Sequence, residues 1–208
     1  MITWTFNAVL RQRIRDNLDS FARQPARADG LKRAAIAITI VARDDGEAAF
    51  VLTRRASGMR NHAGQMALPG GRLDPGETPV IAALRELEEE VNAVVGPDGV
   101  LGVLDDYPTR SGYLITPVVV WAGHEVELIA NPDEVASIQR VPLSELERSD
   151  SPKFSAIPES DRPMIQLPID DDHLHAPSAA MVYQFYEVGL HGRDTRVDHL
   201  EQPVWAWR

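Results

Sequence analysis

The chain has 208 residues, enough for one domain or for one domain with a small appendage. It has no cysteine, which excludes disulfides, thiolate metal sites and a cysteine nucleophile. Its net charge of -10 argues against general binding to nucleic acid, which usually requires a basic face. No apolar run approaches the roughly 20 residues that cross a bilayer, and the N-terminus lacks a signal-peptide pattern. We therefore expect a cytoplasmic protein with no nucleic-acid or membrane partner, and the sequence indicates no oligomeric state.

Hydrophobic periodicity predicts an N-terminal helix over residues 4–23, with a linker up to residue 30 and a main domain over 31–208. Strands are predicted at 34–41, 48–53, 100–104, 114–121 and 135–141, the first two forming a hairpin. Further helices are predicted at 79–91, 143–147 and 177–188. The segments 55–76 and 149–163 are predicted to be loops, the first long enough to suggest a function. Strands that alternate irregularly with helices predict an α/β fold with a mixed sheet.

The predicted helix at 79–91 combines an apolar face with a cluster of carboxylates. At about 100° per residue, one side of the helix carries Val80, Ile81, Leu84, Leu87 and Val91. Glu86, Glu89 and Glu90 fall on the opposite side, at the i, i+3, i+4 spacing that brings helical side chains together. Such a run is ordinarily a solvated acidic face. A hard cation with oxygen ligands, such as Mg²⁺, would instead relieve the mutual repulsion.

The flanking sequence favours a cation-binding site over a solvated acidic face. The stretch from Gly71 to Ala93, GRLDPGETPVIAALRELEEEVNA, resembles the Nudix signature. The matching positions are Gly71, Glu77, Arg85, Glu86, Leu87, Glu89 and Glu90. Asn92 stands where the signature has Gly, and Asn is the best other residue for a left-handed helix end. Ala93 replaces a bulky aliphatic residue. The resemblance implies the Nudix fold, an α/β/α sandwich with a mixed β-sheet and the acidic helix packed on it.

The resemblance also implies roles for these residues. Glu86, Glu89 and Glu90 would bind Mg²⁺ or Mn²⁺, and the Gly71 carbonyl would complete the site. Arg85, counted with Glu89 among the catalytic residues, would pair with Glu77 to fix the preceding loop to the helix. The implied reaction is attack of water on a phosphorus of a diphosphate, with the metal activating the water.

The preceding segment, VLTRRASGMRNHAGQMALPGG, resembles a motif of the coenzyme A diphosphatase branch, LLTxRSxxxRxxxGxxxFPGG. We expect Arg55 and Arg60 to make charge-assisted bonds to phosphate, and Gln65 and Gly70 to contact the substrate. The alternative is that the arginines pair with acidic residues of the fold. Leu68 departs from the motif by replacing a Phe. The resemblance covers about residues 33–146, and the C-terminal 60 or so residues carry no motif.

Two other residues and one cluster of residues have two interpretations each. Glu134, distant from the signature, is either a third metal ligand or general base, or a surface turn residue. His62 either contacts phosphate or is solvated. The acidic and histidine cluster at 170–175 is interpreted as a solvated turn rather than a metal site.

The leading hypothesis is an enzyme that cuts coenzyme A or acyl-CoA into adenosine 3′,5′-bisphosphate and (acyl-)4′-phosphopantetheine. One alternative is the same chemistry on another nucleoside diphosphate derivative, such as a nucleotide sugar. A second alternative is a ligand-sensing Nudix domain without catalysis. Such domains usually lose acidic residues of the signature, and all of them are present in this chain.

Overall fold

The computed structural model describes residues 3–57 and 64–207. Its α-helices are α1 (Ala8–Ser20), α2 (Pro79–Val91) and α3 (Ser178–Gln184). Its strands are β1 (Lys32–Ala42), β2 (Ala48–Arg55), β3 (Met66–Ala67), β4 (Gly70–Arg72), β5 (Val100–Val103), β6 (Tyr107–Pro108), β7 (Tyr113–Trp121), β8 (Val135–Pro142), β9 (Lys153–Ile157), β10 (Ser160–Ile169) and β11 (Asp172–His175). Short 3₁₀ turns lie at Pro97–Gly99, Leu143–Glu147 and Val204–Ala206, and a π-helical turn at Phe185–Leu190 follows α3.

The larger sheet is mixed, as the sequence predicts. β1 pairs in parallel with β7 and antiparallel with β2 and β4. β8 and β3 both pair with β2, while β5 and β6 pair with β7. A second, antiparallel sheet has the order β11-β10-β9. This topology places β4, which leads into the acidic helix, directly beside the central strand.

The alternation of side chains along β1 explains why helices cover both faces of the sheet. Ala35 and Ala37 belong to the apolar cluster under α2, and their small side chains let the helix lie close to the strand. Ile36, Ile38 and Ile40 point to the other face, into a core that also contains residues of α1 and α3. The predicted α/β/α arrangement with the acidic helix on the sheet is therefore confirmed.

The bounds of α2 are those that the sequence predicts, because local signals define both ends. The Thr78 hydroxyl accepts a hydrogen bond from the Ile81 N–H at 3.3 Å, and Pro79 occupies the first turn. Asn92 ends the helix in the left-handed conformation with φ 57°, and its N–H donates to the Glu88 carbonyl at 2.8 Å.

The predicted faces of α2 need a correction. Ile81, placed on the apolar face, is 53% exposed, whereas Glu90, placed opposite it, is only 4% exposed. Ala83, Leu87 and Glu90 follow one another at i, i+4 and i+7, so they form the stripe that meets the sheet. The carboxylate of Glu90 is thus carried toward the sheet by the helix, not out toward solvent.

Several predicted elements differ from the structure. The loop predicted at 55–76 contains β3 and β4, and the loop predicted at 149–163 contains β9 and the start of β10. Pro163 lies in the stretch where the β9–β10 register shifts, and a missing backbone donor is tolerated at such an irregularity. The supposed solvated turn at 170–175 includes β11, which pairs with β10. The predicted first helix is shorter at both ends, because Phe6 donates its N–H to the Gly46 carbonyl and Phe21 is extended.

Two buried aspartates after β5 attach both termini to the sheet. Asp106 accepts from Arg23 Nη2 at 2.7 Å, and Asp105 accepts from Arg196 Nη1 at 2.8 Å. Gln184 of α3 also donates to Asp105, at 3.0 Å. These bonds help to hold the C-terminal residues against the sheet. Within the described ranges, no helix is long and apolar enough to span a bilayer.

Candidate active site

The carboxylates of α2 differ sharply in their surroundings. Glu90 is buried, and burial together with the neighbouring Glu86 raises its pKa from the ordinary 4.5 to about 8. The Gly70 N–H donates a hydrogen bond to Glu90, which partly offsets this effect. Burial also raises the pKa of Glu86, against the opposing influence of Arg85. Glu89 is the solvent-facing member, with a side chain that is 55% exposed.

The two glycines of β4 are required by close packing. A Cβ on Gly70 would lie 2.7 Å from the Ile36 Cα, so any other residue would push β4 away from β1. A Cβ on Gly71 would overlap the carboxylate of Glu86. Gly71 therefore lies directly against Glu86, another of the residues that the resemblance predicts to be metal ligands.

Arg85 connects the acidic helix to the loop that precedes it. Its Nε and Nη2 donate to the two oxygens of Glu77, at 2.9 and 3.1 Å. Its Nη1 donates to Glu86 and to Glu89, both at 2.9 Å, and its Nη2 also donates to the Arg72 carbonyl. A guanidinium that makes a two-pronged bond of this kind fixes orientation as well as distance. Arg85 thereby holds two of the three carboxylates and the loop in one arrangement.

The donor chemistry of this cluster suits a divalent cation. Carboxylate oxygens are the ligands that Mg²⁺ and Mn²⁺ prefer, and a nearby cation would offset the unfavourable charge of buried Glu90. Across the described residues, however, no three Asp, Glu or His side chains are gathered around one point that would hold a metal ion. Glu86 and Glu89 turn instead to Arg85.

Glu134 and Arg55 approach the cluster from the paired strands β2 and β8. The Ala56 N–H donates to the Glu134 carbonyl at 2.8 Å, which holds the two strand ends together. The turn that carries Glu134 is bonded to α2, because the Asn131 N–H donates to the Glu90 carbonyl at 2.9 Å and the Glu134 N–H donates to the Asn131 carbonyl at 3.1 Å. The charge of Glu134 contributes to the raised pKa of both Glu86 and Glu90. The charge of Arg55 acts in the opposite sense and lowers the pKa of Glu90.

Three of the four predicted substrate-binding residues line one cavity. Arg55, Gln65 and Gly70 line a cavity of about 380 Å³. The Arg55 Nε is buried and has no hydrogen-bond partner among the residues that the structure describes, so Arg55 has a donor left for a ligand. Arg60 and His62 lie outside the described residues.

Sequence reasoning missed the far wall of this cavity. It is built by residues of the C-terminal segment, among them His175, Met181 and Trp205. Asp172 and His173, from the cluster interpreted as a solvated turn, also belong to this wall. Arg54 Nη2 donates to Asp172 Oδ2 at 2.9 Å and so ties the wall to β2. No local motif marks these residues, because they reach the cavity only through the pairing of β10 with β11 and contacts distant in sequence.

The raised pKa of Glu90 predicts a pH-dependent stability of the metal-free protein. Glu86, Glu134 and Arg55 are the charged groups that act on it. Between pH 4.5, the ordinary pKa of a glutamate, and about pH 8, Glu90 in the folded chain retains a proton that the unfolded chain releases. The free energy of unfolding should therefore fall as the pH rises through this window, by up to about 1.4 kcal/mol per pH unit.

Denaturant unfolding of native protein and Glu90→Gln at several pH values, in chelator, tests this expectation. The variant should lack this component of the pH dependence and should be more stable than native protein near pH 8. Glu88→Gln, on the exposed side of the same helix, should retain it. Identical pH profiles for native protein and Glu90→Gln would show that Glu90 is not the titrating group.

The NUDIX domain family model matches residues 31–166, and the chain belongs to this family. Similar curated proteins are named uncharacterized Nudix hydrolase NudL. The protein from Photorhabdus laumondii is 44% identical over 118 residues, which cover 56% of this chain and 62% of that protein. The protein from Yersinia pestis strain Pestoides F is 43% identical over 115 residues, covering 55% and 57%. The match thus spans less than two thirds of the length of these relatives.

Solved structures with similar coordinates include a Nudix hydrolase from M. smegmatis, RenU. It is 24% identical, with a TM-score of 0.46 over 57% of this chain and 74% of that chain. A MutT/nudix family protein from Enterococcus faecalis is 17% identical, with a TM-score of 0.47 over 69% and 50%. Likenesses of this size carry no conclusion about substrate or activity.

Proposed function

We propose that this chain hydrolyses the phosphoanhydride bond of coenzyme A or acyl-CoA, giving adenosine 3′,5′-bisphosphate and (acyl-)4′-phosphopantetheine. One observation supports this proposal above the others. The Gly70 N–H bonds to Glu90 of α2, the charge of Arg55 acts on Glu90, and both Gly70 and Arg55 line a cavity that can accept a ligand. A diphosphate is stabilised by a divalent cation and by cationic donors. The carboxylates would hold the cation, and Arg55 would be the cationic donor.

Glu86, Glu89 and Glu90, with the Gly71 carbonyl, are the proposed ligands of Mg²⁺ or Mn²⁺. When bound, the ion would lower the pKa of a water molecule and offset the charge of the leaving phosphate. Without a metal ion, Arg85 positions Glu86 and Glu89 through its hydrogen bonds to both. When the cation binds, these carboxylates would turn from Arg85 toward it. Because Arg85 also bonds to Glu77 and to the Arg72 carbonyl, it would stay in place as they turn.

Two further residues have proposed roles in the reaction. The carboxylate of Glu134 would accept the proton of the attacking water, since its charge acts on both Glu86 and Glu90. Arg55 would donate its unpaired Nε–H to a phosphate oxygen. Arg60 is the second proposed phosphate-binding arginine, while Gln65 and Gly70 would contact the substrate from the cavity wall.

The choice of coenzyme A rests on the resemblance of the segment 51–71 to the coenzyme A diphosphatase motif. Coenzyme A carries a 3′-phosphate besides its diphosphate, and dephospho-coenzyme A lacks it. If one arginine binds the 3′-phosphate, dephospho-coenzyme A should have a lower kcat/KM by about 10- to 150-fold, the value of one charge-assisted bond of roughly 1.5–3 kcal/mol.

Steady-state kinetics on both substrates, with native protein, Arg55→Gln and Arg60→Gln, tests this prediction. The variant that lacks the 3′-phosphate contact should show a smaller difference in kcat/KM between coenzyme A and dephospho-coenzyme A. A variant that lacks a diphosphate contact should instead have a lower kcat/KM for both substrates by the same factor. Arg43→Gln is a suitable control, because this arginine pairs with Asp45 in the β1–β2 turn. Faster cleavage of a nucleotide sugar than of coenzyme A would exclude the proposed substrate but not the phosphoanhydride chemistry.

A further inference from the structure

The cavity beside the acidic helix has two walls of different origin. One wall comes from the segment that leads into α2 and includes Arg55, Gln65 and Gly70. The other, which we call the C-terminal wall, is built by residues of 172–178 and 202–206 together with Met181. The family match ends at residue 166, so the C-terminal wall lies beyond it. Because Arg55 and Gly70 border both the cavity and the acidic cluster, a ligand in the cavity would continue directly from a diphosphate held there.

Aromatic rings are prominent in the C-terminal wall. The rings of Trp205 and His175 meet edge to face, with their centroids 5.3 Å apart. Trp205 is 47% exposed, which leaves ring surface for contact with a ligand. The His175 Nδ1 is buried and has no hydrogen-bond partner in the described ranges. An aromatic surface beside a polar ring atom of this kind suits a flat ligand with polar edges.

The remaining lining indicates which kind of flat ligand. Ser111 and Gln202 line the cavity but already bond to Thr109 and Arg110. Gln65 and Ser178 bring two further neutral hydrogen-bonding side chains to the lining. An alkyl chain would cover such groups without giving them partners, which is costly. The edge of a heteroaromatic base offers both donors and acceptors. Arg54 is occupied by its ion pair with Asp172. Of the two arginines that line the cavity within the described ranges, Arg55 is therefore the one placed to meet a phosphate.

Burial lowers the pKa of His175 below its ordinary value, so the ring is neutral near pH 7 and can both donate and accept hydrogen bonds. The neighbouring charges of His173 and Asp172 act on it in opposite senses. The cavity volume of about 380 Å³ falls within the range of small-molecule sites. The neutral ring of His175 and the size of the cavity both match an uncharged base that is attached to a sugar phosphate.

We propose that this cavity is the subsite for the heteroaromatic base of a nucleoside diphosphate, with the base stacked on Trp205 and its edge bonded to His175 and Gln65. The inference rests on the proposed function, because it takes the diphosphate to lie at Arg55 and the acidic helix. It adds that the C-terminal wall determines which nucleoside is accepted. In this arrangement the group on the far side of the diphosphate extends away from the cavity.

Binding of AMP and of ribose 5-phosphate, measured by calorimetry in magnesium, isolates the contribution of the base, since the probes share the sugar phosphate. Stacking on one aromatic ring predicts that native protein binds AMP more tightly by about 5- to 150-fold. Trp205→Ala should remove most of this difference and leave ribose 5-phosphate binding unchanged. Trp205→Phe should retain most of it. His175→Ala should reduce it by about tenfold.

Phe154→Ala is the matched control, because this aromatic residue is 51% exposed and lies outside the cavity lining. It should bind both probes as native protein does. Equal affinity of native protein for AMP and ribose 5-phosphate would overturn the subsite. So would a Trp205→Ala variant that unfolds as cooperatively as native protein and keeps the full preference for AMP. A preserved AMP preference in a protein that does not cut coenzyme A would contradict the proposed substrate and still support the subsite.

Discussion

Glu89→Gln and Glu90→Gln are each expected to lower kcat by at least about 100-fold. A metal ion that polarises a phosphoryl group stabilises the transition state by several kcal/mol, and each 1.36 kcal/mol is a tenfold change in rate. The amide that replaces each carboxylate keeps its size but removes the negative charge that would hold the ion. Steady-state turnover of coenzyme A at saturating magnesium measures the effect.

The two variants should differ in stability, although both lose activity. Glu89 is exposed, so its replacement should leave the free energy of unfolding nearly unchanged. Glu90 is buried and has a raised pKa, so its replacement should stabilise the metal-free protein at neutral pH. Glu88→Gln controls for loss of a charge from the same helix. Near-native turnover in both variants would remove these carboxylates from the proposed metal site.

Glu134→Gln is the second change with a large expected effect. If its carboxylate accepts the proton of the attacking water, kcat should fall by about 10²- to 10⁴-fold, the usual contribution of a general base. KM should change little, because Glu134 is absent from the residues that line the cavity.

Asp133→Asn is the matched control for Glu134. It removes a neighbouring exposed carboxylate from the same turn, while its backbone N–H can still donate to the Asn131 side chain. The control should turn over substrate at the native rate. A decrease below about threefold in Glu134→Gln would assign this residue to the turn, where its N–H donates to the Asn131 carbonyl.

The sequence predicts α2 well because its ends depend on nearest neighbours. Thr78, Pro79 and Asn92 each act on the backbone within one turn, so their effect can be calculated without knowledge of the rest of the fold. The central strands were also predictable, because their apolar runs are continuous. The family signature lies in the segment that contains α2, and for that reason the sequence alone is enough to infer the family.

The burial of Glu90 could not be predicted in the same way. A helical wheel sorts residues by polarity, and it assigns a carboxylate to the solvent side by default. The actual orientation is set by the small alanines that let α2 approach β1, and by the docking of Gly70 beside them. Such contacts join residues distant in sequence.

The C-terminal wall was missed for a related reason. β9 to β11 contain prolines and a register shift, and their alternation is too weak to predict strands. Trp205 and His175 become neighbours of Arg55 only after the second sheet has packed against the first core. Residues whose function depends on this packing carry no local signal.

The central claim is tested most directly by incubating the purified protein with coenzyme A and identifying the products by mass spectrometry, with Mg²⁺, with Mn²⁺ and with chelator. The proposed function predicts 4′-phosphopantetheine and adenosine 3′,5′-bisphosphate in equal amounts, formed with a divalent cation and not in chelator. Absence of both products at either cation, from protein that unfolds cooperatively, would contradict it.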